Sequence, residues 1–134
     1  APAGLSVTLA LADDLDVSRG DLICAADSPP LLTQDLEALV CWLIERPLAP
    51  GSKYAIKHTT KWVRAVVTDL HDRLDVNTLD HEPASQLELN DIGRVTLRLT
   101  APLAVDAYRD NRATGSFILV DEATNATAGA GIIL

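Results

Sequence analysis

The chain has 134 residues, a net charge of −8 and an aromatic content of only 4%. This length predicts one domain whose core is built from aliphatic side chains. The acidic balance disfavours sequence-independent binding to nucleic acid, which needs clustered lysines and arginines. No run is long and apolar enough for a membrane helix, and no signal peptide is visible.

The N-terminal part of the chain predicts a strand–loop–strand unit followed by a linker. Short strands are predicted at Val7–Leu11 and Leu22–Ala25, and Arg19–Asp21 is predicted to form the turn into the second strand. Pro29 and Pro30 follow, and neither can donate a hydrogen bond to a sheet. We therefore predict a domain boundary there, with residues 1–26 as one unit and residues 27–134 as the other.

The next segments favour strands. Leu36 to Ile44 is apolar at nearly every position, so its own pattern fits a helix or a strand, and the neighbouring strands favour a strand. Residues 53–58 alternate, with Tyr54, Ile56 and His58 on one face. Val63 to Val76 predicts a long strand with one wet side. In that strand one face is expected to carry Val66, Thr68, Leu70, Asp72 and Leu74.

The C-terminal third contains the clearest β patterns. Residues 94–101 alternate, with Val95, Leu97, Leu99 and Ala101 facing inward, and Pro102 is expected to end this strand. Phe117–Val120, a polar turn at Asp121–Asn125 and a return run predict a hairpin. The glycines given a structural role here are Gly115, Gly129 and Gly131. Short strands with Gly and Pro between them predict an antiparallel barrel or sandwich.

The sequence carries no recognisable catalytic, cofactor-binding or metal-binding motif. A P-loop, a dinucleotide fingerprint and a nucleophile elbow are all absent from it. The three histidines, His58, His71 and His81, lie far apart and are expected at the surface. Two lone cysteines, Cys24 and Cys41, fit a reduced intracellular protein with Cys41 in the core. The sequence leaves open whether these two cysteines form a disulfide.

The lysines are unevenly placed. Lys53, Lys57 and Lys61 fall within nine positions, and Arg64 follows them. The simpler interpretation is a solvated strand face. The functional interpretation is an interface for an anion or an acidic partner on an otherwise acidic body.

Several segments of the chain resemble the GTPase large subunit of sulfate adenylyltransferase, a family related to elongation factor Tu. The resemblance runs in order along nearly the whole chain. It is carried by Leu5-Ser6-Val7-Thr8-Leu9, Asp16 to Asp21, Pro50 to Tyr54, Asp75-Val76-Asn77-Thr78-Leu79, Leu89 to Val95, Asn111 to Phe117, and Thr124 to Gly131.

The resemblance implies an all-β fold. Residues 27–134 would form a six-stranded antiparallel barrel similar to the third domain of elongation factor Tu. Residues 1–26 would be the last strands of the preceding barrel. The absence of methionine is then expected, because the chain would be a piece of a longer one.

The resemblance also implies a role in a cytoplasmic enzyme of sulfate assimilation. In that family a GTPase domain binds GTP and Mg²⁺, and GTP hydrolysis drives transfer of AMP from ATP to sulfate on a separate small subunit. The barrel itself would hold neither cofactor. Its implied partners are the upstream GTPase domain, the small subunit and, in the fused enzyme, an adenylylsulfate kinase domain. Membrane and nucleic-acid partners are not expected.

Two alternatives remain open at this point. One is a translation-factor barrel that contacts tRNA, against which the net charge of −8 counts. The other is an independent β-sandwich that binds a ligand such as carbohydrate. The segment from Val7 to Ala25 is expected to be mobile, to pair onto the barrel or to pair with another copy, because unpaired strand edges seek partners.

Overall fold

The computed structural model describes residues 2–134, and the strands of this described part all begin at or after Leu31. Their bounds, in chain order, are β1 (Leu31–Trp42), β2 (Lys53–His58), β3 (Lys61–Leu74), β4 (His81–Glu82), β5 (Ile92–Val105), β6 (Ser116–Val120) and β7 (Thr127–Ile133). Across these same residues, no helix with the length and hydropathy of a membrane span is found.

Six of the strands close into one antiparallel barrel. Their order is β2–β6–β7–β1–β5–β3, and β3 pairs back with β2 from Lys53↔Val66 to His58↔Lys61. The short strand β4 adds to the far end of β3. The predicted six-stranded antiparallel barrel is therefore confirmed. The sandwich alternative is wrong, because a sandwich needs two separate sheets.

The core is the interior of this barrel. Strand β1 shows how it is built, because Leu36, Ala38, Val40 and Trp42 alternate inward and are at most 2% exposed. The Trp42 indole meets the Tyr54 ring edge-on at 5.2 Å between centroids and donates a hydrogen bond of 2.7 Å to the Arg46 carbonyl.

Most of the apolar run Leu36 to Ile44, whose own pattern fits a helix or a strand, lies in β1, which ends at Trp42. It looks continuous because β1 carries apolar side chains on both faces, with half-buried Leu39 and Cys41 pointing outward. The expectation that Cys41 lies in the core is therefore wrong. Both cysteines are free, so the disulfide that the sequence left open is not formed in the structure.

The predicted faces of β3 are wrong at one point. Val66 pairs with outward-facing Arg98, whereas Leu70 pairs with Val95 of the core, so the two do not share a face. The cause is a pair of register shifts, between Val67 and Asp69 and between Leu70 and Asp72. Each bulge adds a residue to one strand and so reverses the alternation beyond it.

Pro102 does not end β5, which continues to Val105. The reason lies in the partner strand, where the register between β1 and β5 shifts between Thr33 and Asp35. Pro102 lies opposite this irregular stretch, where its missing N–H costs little.

The predicted N-terminal strands are also absent from the described residues. Val7–Leu11 and Leu22–Ala25 have no strand pairing, although the turn between them forms: the Asp21 amide donates to the Ser18 carbonyl at 3.1 Å. Since the barrel ladder closes on itself, it offers these segments no neighbouring strand. Residues 2–30, called the arm below, precede β1 directly.

The three glycines make room for neighbouring groups. A Cβ on Gly131 would lie 2.3 Å from Cζ of Phe117, and one on Gly129 would lie 3.1 Å from the Trp42 ring. A Cβ on Gly115 would lie 2.4 Å from Cα of Tyr108. Gly129 and Gly131 share one face as predicted. The nearest groups on that face include the Trp42 ring at Gly129 and the Phe117 ring at Gly131.

Candidate interaction surface

An open groove of about 750 Å³ lies on the outside of the barrel, over β1, β6 and β7. Its floor is apolar and comes from outward-facing positions of adjacent strands. Leu39 pairs with Ile132, and Cys41 pairs with Ala130, which in turn pairs with Ile118. Outward positions on a strand are usually polar, so this apolar floor identifies a surface suited to a partner.

Two cations and a tyrosine line the rim of the groove. Lys57 contributes from β2, and Arg112 contributes from the loop before β6, with its guanidinium carbon 5.9 Å from the centroid of the Tyr108 ring. Within the described part of the chain, the side chains that line the groove include no carboxylate. That composition contrasts with the chain as a whole, which has 19 acidic and 11 basic residues.

Trp62 pairs with Lys57 beside this groove and is the most exposed aromatic side chain of the described residues. It is 54% exposed, whereas Trp42, Tyr54 and Phe117 are buried. The Lys57 ammonium lies over its ring, 5.7 Å from the centroid. The sequence interpretation missed Trp62, although its place next to inward-facing Val63 in an alternating strand already indicates an outward direction.

The predicted cationic interface is partly assembled. Lys53, Lys57 and Arg64 all lie on the outer face of the β2–β3 hairpin, and Arg64 forms an ion pair of 2.9 Å with Glu122. Lys61 does not join them, because it lies at the hairpin end and donates 3.2 Å to the Pro102 carbonyl, with its stem against Gly20 of the arm. Whether these cations bind a partner stays a prediction.

All three histidines make a hydrogen bond, but they differ in burial. His58 is 2% exposed, so the expectation of a surface position is wrong, and its Nε2 donates to the Thr114 carbonyl at 2.7 Å. A buried imidazole keeps its place only with such a partner. His81 is exposed and bonds Asp72 at 2.8 Å, and exposed His71 bonds the Thr96 hydroxyl at 2.7 Å.

Asp72 is the centre of an ion-pair network near the end of β3, the strand that has Trp62 near its start. One carboxylate oxygen accepts from His81, and the other accepts from Arg94 at 2.9 Å. Burial by itself raises the pKa of this carboxyl, but the hydrogen bonds and charges of His81 and Arg94 together hold the pKa below its usual value. The network holds the short strand β4 against β3.

No cluster of three or more His, Cys, Asp or Glu side chains suited to a metal ion is found in residues 2–134. The arrangement of Trp62, the two rim cations and the apolar floor is suited to contact with another macromolecule.

Curated relatives carry a similar sequence within much longer chains. The chain is 49% identical over 134 residues to sulfate adenylyltransferase subunit 1 of Laribacter hongkongensis, covering 99% of this chain and 28% of that protein. It is 48% identical over 132 residues to the bifunctional enzyme CysN/CysC of Mycobacterium tuberculosis, covering 97% and 22%. The chain thus spans about a quarter of the length of these curated relatives, and the resemblance stated from its sequence is confirmed.

A solved structure shares the fold at lower identity. The crystal structure of Sup35 complexed with GDP superposes with a TM-score of 0.74 at 19% identity, over 82% of this chain and 27% of that one. This likeness supports the barrel architecture alone. Residues 35–134 match the family described as GTP-eEF1A C-terminal domain-like. The chain therefore belongs to the GTP-eEF1A C-terminal domain-like family.

Proposed function

We propose that the chain is the third-domain barrel of a GTP-dependent sulfate adenylyltransferase large subunit, with residues 1–26 belonging to the preceding barrel. The observation that supports this proposal is the identity of 43–49% over nearly the whole chain to proteins that bear the name of this subunit. A translation-factor barrel would share the fold, but it would not explain this identity.

In this proposal the parent protein is a cytoplasmic enzyme of sulfate assimilation. GTP and Mg²⁺ are held by its GTPase domain, and GTP hydrolysis drives transfer of AMP from ATP to sulfate on the small subunit, which forms adenylyl sulfate. None of the described barrel residues is assigned to GTP or Mg²⁺. A fused adenylylsulfate kinase domain is a further neighbour, consistent with the bifunctional relatives.

The barrel's own contribution is contact. It offers the GTPase domain and the small subunit a closed sheet with an apolar and cationic groove on its outer face, although the chain as a whole is acidic. A closed barrel suits this role because each of its six strands is paired on both sides, so that side chains and not open strand edges select the partner.

Competition tests the proposal. The 134-residue chain is added in excess to a reconstituted pair of large and small subunits, and adenylyl sulfate formation is followed with GTP present. We expect the chain alone to hydrolyse no GTP and to lower the rate by occupying the small subunit. Bovine serum albumin at the same concentration controls for crowding.

Two results would contradict the proposal. One is GTP hydrolysis by the purified chain alone, which would place catalysis in the barrel. The other is unchanged adenylyl sulfate formation together with salt-resistant binding of tRNA in a filter assay, which would favour the translation-factor alternative.

A further inference from the structure

We propose that Trp62, Lys57 and the groove form one docking surface for a protein that presents carboxylates around an apolar centre. Resting on the proposed function, this partner is the adenylyltransferase small subunit. The surface lies on the described residues of the barrel and needs no part of the arm.

Strand pairing makes these residues one continuous surface. Lys57 pairs with Trp62 on one side and with Ile118 on the other. The same row continues through Ala130 of β7 and Cys41 of β1. Side chains in such a row point the same way and lie within contact distance of their neighbours. The row therefore runs without a break from an exposed indole across the floor of the groove.

Trp62 has the properties of an interface anchor. Tryptophan is enriched among the residues that dominate binding energy, and it gains most when a partner covers it fully. More than half of Trp62 is in solvent, at 54% exposure, in a chain that has only two tryptophans. The Lys57 ammonium over one face of the ring restricts the indole before a partner arrives.

The charges select an acidic partner. Lys57 and Arg112 line the groove, and Lys53 and Arg64 continue the cationic area along the hairpin, where Glu122 offsets one of them. A protein surface with carboxylates around an apolar patch complements this pattern and is steered toward it. A second copy placed face to face would instead bring Lys57 and Arg112 against the same cations.

Binding of the small subunit to the 134-residue chain tests the surface. The variants are Trp62→Ala and Lys57→Glu, and both positions are on the outer face of the barrel. Matched controls are Leu79→Ala, which removes a 70% exposed apolar side chain in the β3–β4 turn, and Arg19→Glu, which reverses an exposed charge in the arm. Thermal unfolding of every variant checks that the barrel is intact.

We expect each surface variant to weaken binding about tenfold or more and each control to change it less than about twofold. Acrylamide quenching of tryptophan fluorescence gives a second readout, because Trp42 is buried and Trp62 supplies the accessible signal. That quenching should fall when the small subunit is bound.

The outcomes separate this inference from the proposed function. If the wild-type chain binds the small subunit and both surface variants bind equally well, the surface is wrong and the proposed function stands. If the wild-type chain does not bind the small subunit at all, the partner named in both proposals is wrong. If Trp62→Ala instead removes binding of tRNA, the surface serves nucleic acid and the acidic-protein assignment is overturned.

Discussion

The arm and the barrel show the same apolar alternation with opposite results. Val7, Leu9 and Leu11 of the arm are 57%, 63% and 47% exposed. The corresponding positions of β5, Val95, Leu97 and Leu99, are at most 3% exposed. Alternation therefore determines which side chains share a face, but burial needs a second face to pack against.

The difference comes from strand partners. β5 pairs with β1 on one side and with β3 on the other, so its backbone groups are satisfied and its inner face meets the opposite wall of the barrel. The arm has only turn hydrogen bonds, such as the one from the Asp21 amide to the Ser18 carbonyl. A strand-forming sequence without an open neighbouring strand therefore stays unpaired and exposed.

Trp42→Ala should lower the stability of the barrel more than any other substitution proposed here. Its side chain is 0% exposed and packs against Tyr54. Truncation of a buried tryptophan removes its transfer free energy and leaves a cavity, so the free energy of unfolding should fall by about 3–5 kcal/mol. Urea denaturation measures this loss. Leu9→Ala in the arm is the control, and a comparable loss there would show that the arm packs in a core.

Gly131→Ala should lower the free energy of unfolding less than Trp42→Ala does, but more than Gly129→Ala does. The new Cβ at Gly131 would lie 2.3–2.8 Å from three atoms of the Phe117 ring, so the ring must move in a filled core. Overpacking of this kind costs about 1–3 kcal/mol. At Gly129 the nearest atoms would be 3.1–3.2 Å away. Equal denaturation midpoints for the two variants would refute the steric explanation.

Acid should weaken the barrel through Asp72. The pKa of its carboxyl is lowered in the folded state, because His81 and Arg94 outweigh the effect of burial. The stability that this carboxylate contributes is therefore present above its unfolded pKa, near the usual 3.8, and is lost as pH falls through the lower folded pKa. Unfolding free energies measured from pH 6 to pH 3 should decline in wild type and decline less steeply in Asp72→Asn.

A neighbouring carboxylate controls for the general effect of acid. Asp69→Asn changes an exposed aspartate of the same strand, so its acid profile should follow that of wild type. If Asp72→Asn and wild type lose stability in parallel below pH 4, the ion-pair network does not contribute to acid sensitivity.

The strands were predictable because they carry their own alternation and turn residues, whereas the choice of a barrel over a sandwich came from the family resemblance. The β6–β7 hairpin was found from Phe117–Val120, the polar turn and the glycines that follow. What alternation could not show are the irregularities, since the two register shifts of β3 and the one opposite Pro102 depend on the partner strands. For the same reason burial of His58 was missed, because its partner carbonyl at Thr114 is distant in sequence.

The candidate surface was predictable only in part. The lysine spacing pointed to the β2–β3 hairpin, and three of the four cations do share its outer face. The groove could not be read from any single segment, because its floor combines side chains of β1, β6 and β7 that only the strand order brings together. In β1 the apolar outward residues Leu39 and Cys41 even obscured the secondary structure.

The arm offers the smallest energetic effect and the sharpest test of the comparison. Leu9→Asp should change the free energy of unfolding by no more than about 0.5 kcal/mol, because the side chain is already 63% exposed. Amide hydrogen exchange should be fast at Val7–Leu11 and slow at Ala38 and Val40, whose strand is paired on both sides. Protection of the arm at every dilution would mean that it pairs onto its own barrel, and protection that disappears on dilution would mean that it pairs with another copy. Fast exchange at all concentrations would show that the arm stays unpaired, as expected if its strands pair within the proposed preceding barrel.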